Sequence, residues 1–378
     1  MEGCDDKKND AKNLKMRFLR LKILDIYIIK KFLGTFFFAL GMIMLIVIVF
    51  DISEKLDDFI EENVSWYEII FVYYFNFIPY YANFLSPLFI FISVIFFTSK
   101  LTGNSEIIAI LSSGVSYRRL MLPYFISATF LALLSFYLAA YVIPKANKKR
   151  LTFEMTYIKK SRNYTKKNVH KQIEPGVFVY LESYDKKRSL AYKFSLEKFE
   201  GKKLVSKLMA NRAQWDSTKR KWRVMNYYIR NYGKKKQEII HGNSIDTTIN
   251  LSPADFERLD KVVQMLNLDE LKDFIAEQEL RGDDKIDTYK VEQYNRVAFP
   301  FSALILTLIG VSLSTTKRRG GTGINIILGL LLSFGYIFFM KVFTELATAG
   351  SMLPLLSVWI PNIVFALIGV YLYIIAPK

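Results

Sequence analysis

The sequence predicts a polytopic α-helical membrane protein with six transmembrane helices, interrupted by an inserted extracytoplasmic antiparallel β domain. Three observations carry that prediction. Six stretches are apolar over about the 20 residues that a bilayer-crossing helix needs. The 378 residues are 52% hydrophobic yet include 52 Lys and Arg, a pairing that fits apolar spans joined by basic segments. Between the third and fourth stretches the apolar period changes from that of a helix to strict alternation.

The chain opens with a charged tail, residues 1–20, whose "MEGCDDKKNDAKN" has the composition of a disordered segment. It lacks a short apolar core followed by a cleavage site, so no cleaved secretory signal is expected. The first span covers 29–50 and leads into "DISEKLDDFIEE" at 51–62, six acids with the single base Lys55. These acids read as a solvated collar at the outer membrane face, and not as an acid–base pair. The second span, 69–98, is too long for one perpendicular crossing and contains Pro79 and Pro87. It reads as a bent or tilted helix with an extra segment at the membrane surface.

The turn that follows, "SEIIAILSSGVS" at 105–116, has the pattern of a short amphipathic helix. Asn104 suits the N-cap, Glu106 suits the positive end of the helix dipole, and Gly114 suits the C-terminal stop. Ile107, Ile110, Leu111 and Gly114 fall at i, i+3, i+4 and i+7, which makes one face apolar. The residues alone leave two readings open, an amphipathic linker lying on the inner leaflet or a helix that docks on a partner. The third span is 120–143, and the last three are 297–315, 324–345 and 354–375.

Short loops set the orientation. Arg17, Arg20, Lys22, Lys30 and Lys31 flank the first span; Lys100, Arg118 and Arg119 flank the 105–116 segment; "KRR" stands at 317–319. The loop 346–353 has no basic residue. Both termini and the 100–119 turn are therefore placed in the cytosol. The long insert falls on the opposite side, where its own charge does not count. Within it, "GVFVYLESY", "SLAYKFSLEKF" and "KWRVMNYYIRNY" read as half-buried strands. In the second of these, alternation places Leu190, Tyr192, Phe194 and Leu196 on one face. Helical pattern returns from Asn267.

Several chemistries are excluded. There is no phosphate-binding GxxxxGK[ST], no Gx[SC]xG nucleophile elbow and no HExxH. One cysteine, Cys4, and two histidines, His170 and His241, provide no metal or redox motif. The chain is expected to bind no cofactor and to act as no enzyme. Its net charge of +17 lies around the spans and not on a recognition motif, so nucleic acid is not a partner. Lys341, near the outer end of the fifth span, either snorkels to the interface or contacts an anionic lipid headgroup in a cavity between helices.

Taken in order, "LDIYIIKKFLGTF", "SEIIAILSSGVS", "IEPGVFVYLESY", "ANRAQWD", "YNRVAFPFSALILTLIGVSLS" and "LLSVWIPNIVFALIG" resemble the lipopolysaccharide-export permeases LptF/LptG, over nearly the whole chain after Leu21. The "LDxYI" opening favours the LptG branch. The resemblance implies spans one to three within 21–147, a coupling helix at 104–116, a periplasmic β-jellyroll at 148–262, and a periplasmic helix with spans four to six at 263–378. It implies an inner-membrane subunit of an ABC exporter in a Gram-negative bacterium. The partners implied are a cytosolic ABC ATPase dimer that hydrolyses the ATP, a second permease subunit (LptF-like), a periplasmic bridge of similar jellyrolls, and lipopolysaccharide as cargo. Ser105, Glu106, Ile107, Ile110, Leu111 and Gly114 would then meet the ATPase, with Glu106 pairing to a base there. Phe178, Tyr192, Phe194 and Trp222 would line an apolar interior for acyl chains. Where members of the family often carry a base near the outer end of span one, this chain has Asp51, which leaves Lys55 and Lys341 as substitutes. The rival reading is an ABC-coupled mechanotransmission protein that moves no lipid.

Overall fold

The computed structural model describes residues 22–158, 165–185, 188–217, 219–233, 237–249, 251, 259–280, 282–283, 285–315 and 321–376. The tail 1–20, with Cys4, Arg17 and Arg20, and the "KRR" at 317–319 lie outside the described residues.

Three long helices open the fold. α1 is Ile23–Glu61, 39 residues or about 58 Å, nearly twice a bilayer core. The acidic stretch that follows the first span continues the same helix as far as Glu61, because nothing from Asp51 to Glu61 breaks one. α2 is Glu68–Gly103, with a π-helical first segment Glu68–Tyr74. It runs on through Pro79 and Pro87. Ser86 Oγ donates at 2.8 Å to the carbonyl of Asn83, the group that Pro87 has no N–H to satisfy. α3 is the short Glu106–Ser112. α4, Tyr117–Ile158, is 42 residues long and carries the helix well past the expected end at 143. The inserted sheet accordingly begins at Thr165, not at 148.

After the sheet come α5 (Leu259–Val263), α6 (Leu268–Leu280) and α7 (Ile286–Ala298), then α8 (Phe301–Ser314), α9 (Gly321–Thr348) and α10 (Pro354–Ile375). Among the described residues, five helices are long and apolar enough to cross a membrane. The fourth span of the sequence, 297–315, is not one straight helix. α8 has 14 residues and reaches only about 21 Å. It makes a full crossing only together with α7, from which it bends by 52°. The break falls at Phe299–Pro300, where proline cannot donate to the preceding turn.

α2 is the central post. Gly310 of α8 lies so close to it that an added Cβ would stand 2.9 Å from Val94 Cγ1 and 3.2 Å from Phe91. Hydrogen bonds tie the helices where no water competes. Thr102 Oγ1 donates to the Ser314 carbonyl at 2.8 Å. Tyr336 Oη donates to Asn362 Oδ1 at 2.8 Å, and Asn362 Nδ2 donates to the Ala298 carbonyl at 3.2 Å.

The insert is one six-stranded antiparallel sheet in chain order, β1 (Thr165–Glu174), β2 (Val177–Asp185), β3 (Leu190–Glu200), β4 (Lys203–Asp216), β5 (Lys221–Tyr232) and β6 (Gln237–Thr247). The sheet is creased. On each middle strand two consecutive core residues are three apart instead of two: Leu181 and Tyr184, Ala191 and Phe194, Ala210 and Ala213, Val224 and Tyr227. These residues pair row by row, Ala210 with Tyr227 and Ala213 with Val224 among them, so register is kept across the crease. Lys193 and Asn226 sit on it with left-handed φ of 49° and 50°. The crease closes the inner face on itself. Tyr184 of β2 and Trp222 of β5 would be about 14 Å apart in a flat sheet, yet their rings meet at 6.4 Å.

Candidate functional site

Three places in this fold hold the residues singled out by sequence. The first is at the end of the bundle away from the sheet. α3 sits between the C-terminus of α2 and the start of α4. Against the expectation, Asn104 does not cap α3 but ends α2, its N–H donating to the Lys100 carbonyl while the Ser105 N–H donates to that of Thr102. Ser105 takes the N-cap place with a φ of 61°, which turns the chain sharply into α3. The Asn104 amide donates instead to Glu106 Oε1 at 3.1 Å and holds that carboxylate at the helix start. Gly114 closes the turn with φ 87°, its N–H donating to Leu111 at 3.1 Å, as its sequence position predicts.

The apolar stripe of α3 faces its own subunit. Ile107 is 1% exposed and belongs to the buried apolar cluster that also holds Ile28 and Phe32 of α1, Leu101 of α2 and Tyr117 and Leu120 of α4. Ile110 and Leu111 pack half-buried against the same cluster. Ile107 is therefore an anchor and is not available to a partner, because the stripe that makes α3 amphipathic is the one that seats it. What faces outward is Ser105, Ile108, Ala109, Ser112 and Gly114, with Glu106 half-buried at the rim. Ile108 is 44% exposed, and sequence reasoning passed over it. An isoleucine opposite the apolar stripe was the available signal.

The second place is the sheet end of the bundle. Lys55 is not a free cation: its Nζ lies 2.5 Å from Asp51 Oδ1 and bonds Tyr73 Oη. Tyr74 Oη donates to Asp51 Oδ2 at 3.0 Å. The collar reading of Asp51 is thereby corrected. The carboxylate is part-buried in a polar knot between α1 and α2, while Glu54 and Asp57 remain exposed. Lys341 is exposed and makes no ion pair among the described residues. It borders a cavity of about 230 Å³ between α2, α4, α7 and α9, lined also by Tyr80, Asn83, Asn147, Glu292 and Arg296. Arg296 is held inside by the Leu266 and Val263 carbonyls at 2.6 and 2.9 Å and by Glu292 at 3.1 Å. The Oδ1 atoms of Asn147 and Asn295, both on the cavity wall, are buried and have no hydrogen-bond partner among the described residues.

The third place is the sheet, and here the four expected lining residues divide. Phe194 and Trp222 point into the creased interior, 1% and 0% exposed, with rings stacked at 6.4 Å. Trp222 Nε1 donates to the Leu251 carbonyl at 2.7 Å and locks the segment that closes the core. Phe178 and Tyr192 are on the other face, against the expectation. Phe178 alternates with buried Val179, and Tyr192 is turned away from Phe194 by the left-handed Lys193 between them. Tyr192 lies under Arg212 there. Lys193 bonds Glu182 at 2.8 Å, and that hydrogen bond raises its pKa above the ordinary lysine value. Phe178 and Lys193 border an outer groove of about 490 Å³. Among the described residues no group of three His, Cys, Asp or Glu is placed to hold a metal ion.

Among the described residues, five or six candidate membrane crossings with an antiparallel sheet inserted between helices define a polytopic membrane protein. The chain belongs to the LptF/LptG family: the family described as lipopolysaccharide export system permease LptF/LptG matches residues 26–375. Comparison with curated proteins found no match. Membership makes the chain a membrane permease subunit for lipopolysaccharide export in an ABC system.

Proposed function

We propose that this chain takes lipopolysaccharide from the inner membrane and passes it to a periplasmic bridge, driven by a separate cytosolic ATPase dimer. A second permease subunit pairs with it, and the chain belongs to the LptG branch. Both termini and α3 face the cytosol, and the sheet faces the periplasm. Lipid enters sideways between α1 and α9 of the paired subunits, since an amphiphile with several acyl chains cannot cross water alone. Lys341 meets its phosphates. The creased interior around Phe194 and Trp222 guides acyl chains, and the outer edge of β6, which pairs only with β5 among the described residues and exposes Ile239 and Ile240, offers a strand for the bridge to extend.

The observation that carries this reading is the seat of α3. A seven-residue helix anchored by Ile107 on the bases of α1, α2 and α4 presents Glu106 and Ile108 outward. Force applied to so small an element passes to three spans at once, which suits rigid-body closure. The test is affinity purification from the native membrane, wild type beside Glu106→Arg, with mass spectrometry of what is retained. An ABC ATPase and an LptF-like subunit should accompany the wild type, and the ATPase should be lost from the variant. Retention of no ATPase by either form in mild detergent would return α3 to the role of a membrane-surface linker.

A further inference from the structure

We infer that Asp25 and Arg119 form the joint through which α3 moves α1, and that they are positioning residues for the ATP-driven cycle. The inference rests on the reading of α3 as the docking element. Arg119 is in the first turn of α4, and only residues 113–116 separate that helix from α3. A displaced α3 therefore pulls directly on the turn that holds Arg119. The guanidinium reaches across to the first turn of α1 in a two-pronged bond, Nη1 to Asp25 Oδ1 at 2.7 Å and Nη2 to Oδ2 at 2.5 Å. Asp25 Oδ2 also accepts the Lys22 backbone N–H at 2.7 Å, so the carboxylate that caps α1 is the one that clamps α4.

The geometry of this contact differs from that of its surroundings. Ile28 and Phe32 pack on Leu120 and Tyr124 nearby, and such apolar surfaces can slide and rotate over one another. A planar fork on a carboxylate fixes both distance and twist. Asp25 is 2% exposed and the Arg119 side chain 24%, so the carboxylate end of the fork is covered while the guanidinium reaches the surface. At its other end α1 is tied through Asp51 to Tyr74 of α2. Between these two carboxylates it exposes Phe37, Phe38, Leu45, Ile46, Val49 and Phe50 away from the bundle. α1 is thus a lever with a polar pin at each end, and the pin next to α3 is the Asp25–Arg119 fork.

The test uses the full chain purified with its partners in proteoliposomes, as wild type, Asp25→Asn, Arg119→Lys, and the swap Asp25→Arg with Arg119→Asp. ATP turnover and ATP-dependent lipopolysaccharide release are measured together. Asp25→Asn should keep the ATPase bound and at least half of its turnover, while release per ATP falls at least ten-fold. Arg119→Lys, which keeps the charge and loses the fork, should fall several-fold, and the swap should recover to within about three-fold of wild type. Release per ATP within two-fold of wild type in Asp25→Asn, or turnover and release falling in parallel with no recovery in the swap, would overturn the joint. A second arm needs no ATPase: spin labels at Ile108→Cys and Ile23→Cys in a Cys4→Ser chain. Their distance distribution should widen at least two-fold with Asp25→Asn, and an unchanged width overturns the inference. If the wild type itself retains no ATPase, the docking reading fails and the spin-label arm alone decides the joint.

Discussion

Two neighbouring isoleucines separate the seat of α3 from its outward face. Ile107 is 1% exposed within its own subunit, and Ile108 is 44% exposed. Truncating a buried isoleucine to alanine costs about 2–5 kcal/mol through lost transfer energy and the cavity left behind. Ile107 lies in a buried cluster built from α1, α2 and α4, so Ile107→Ala should fall near the middle, about 3 kcal/mol. Fully burying an isoleucine contributes about 1.5–3 kcal/mol, and the exposed 44% of Ile108 leaves roughly 1 kcal/mol for a partner to gain by covering it. Ile108→Ser should therefore weaken ATPase binding about five-fold and leave the thermal melt of the purified chain unmoved. Ile107→Ala should lower the melt clearly. The assay pairs a melt in detergent with titration of the ATPase onto immobilised chain. Ile108→Ser binding with wild-type affinity, or a melt shift as large as that of Ile107→Ala, would refute the assignment of the two faces.

Glu106→Arg should weaken the same titration by about thirty-fold or more, since reversing one partner of a desolvated charge pair costs at least about 2 kcal/mol. In the sheet, Phe194→Ala should cost about 3–5 kcal/mol by pulse proteolysis and Phe178→Ala about 1 or less; equal costs would contradict the crease. Trp222→Phe should cost about 1–3 kcal/mol, because it strands the Leu251 carbonyl in the core. Lys341→Gln should reduce lipid release several-fold with no loss of stability. Lys55→Met should show the reverse pattern in a melt, since it leaves Asp51 part-buried without its ion pair.

Much of the architecture was legible because membrane spans and half-buried strands announce themselves by period. α10 coincides with its predicted range, and Glu106 and Gly114 fall where capping rules put them. The misses have physical causes. Alternation along β3 assigns Tyr192 and Phe194 to one face only if the period is unbroken, and a left-handed Lys193 is not visible in composition. Hydropathy ends α1 at Phe50 because it weighs apolarity, while a charged helix continues without apolar residues as long as nothing breaks it. The 52° bend ahead of α8 was hinted at by Pro300 alone. Lys55 looked like a free base although Asp51, its ion-pair partner, stands four residues earlier on the same helix; what local pattern does not encode is Tyr73, which bonds Lys55 from another helix, and Tyr74, which bonds Asp51. The Asp25–Arg119 fork is of the same kind, joining residues 94 positions apart.

The central claim is that ATP hydrolysed by a partner moves lipopolysaccharide through this chain. The most direct measurement is transfer of labelled lipopolysaccharide from proteoliposomes holding the purified complex to a soluble periplasmic acceptor, with and without ATP. The account predicts transfer that needs ATP and falls at least ten-fold when Glu106→Arg replaces the wild-type chain. ATP-dependent turnover with no lipid transferred above the background of empty vesicles would contradict it and favour a protein that transmits force without carrying lipid.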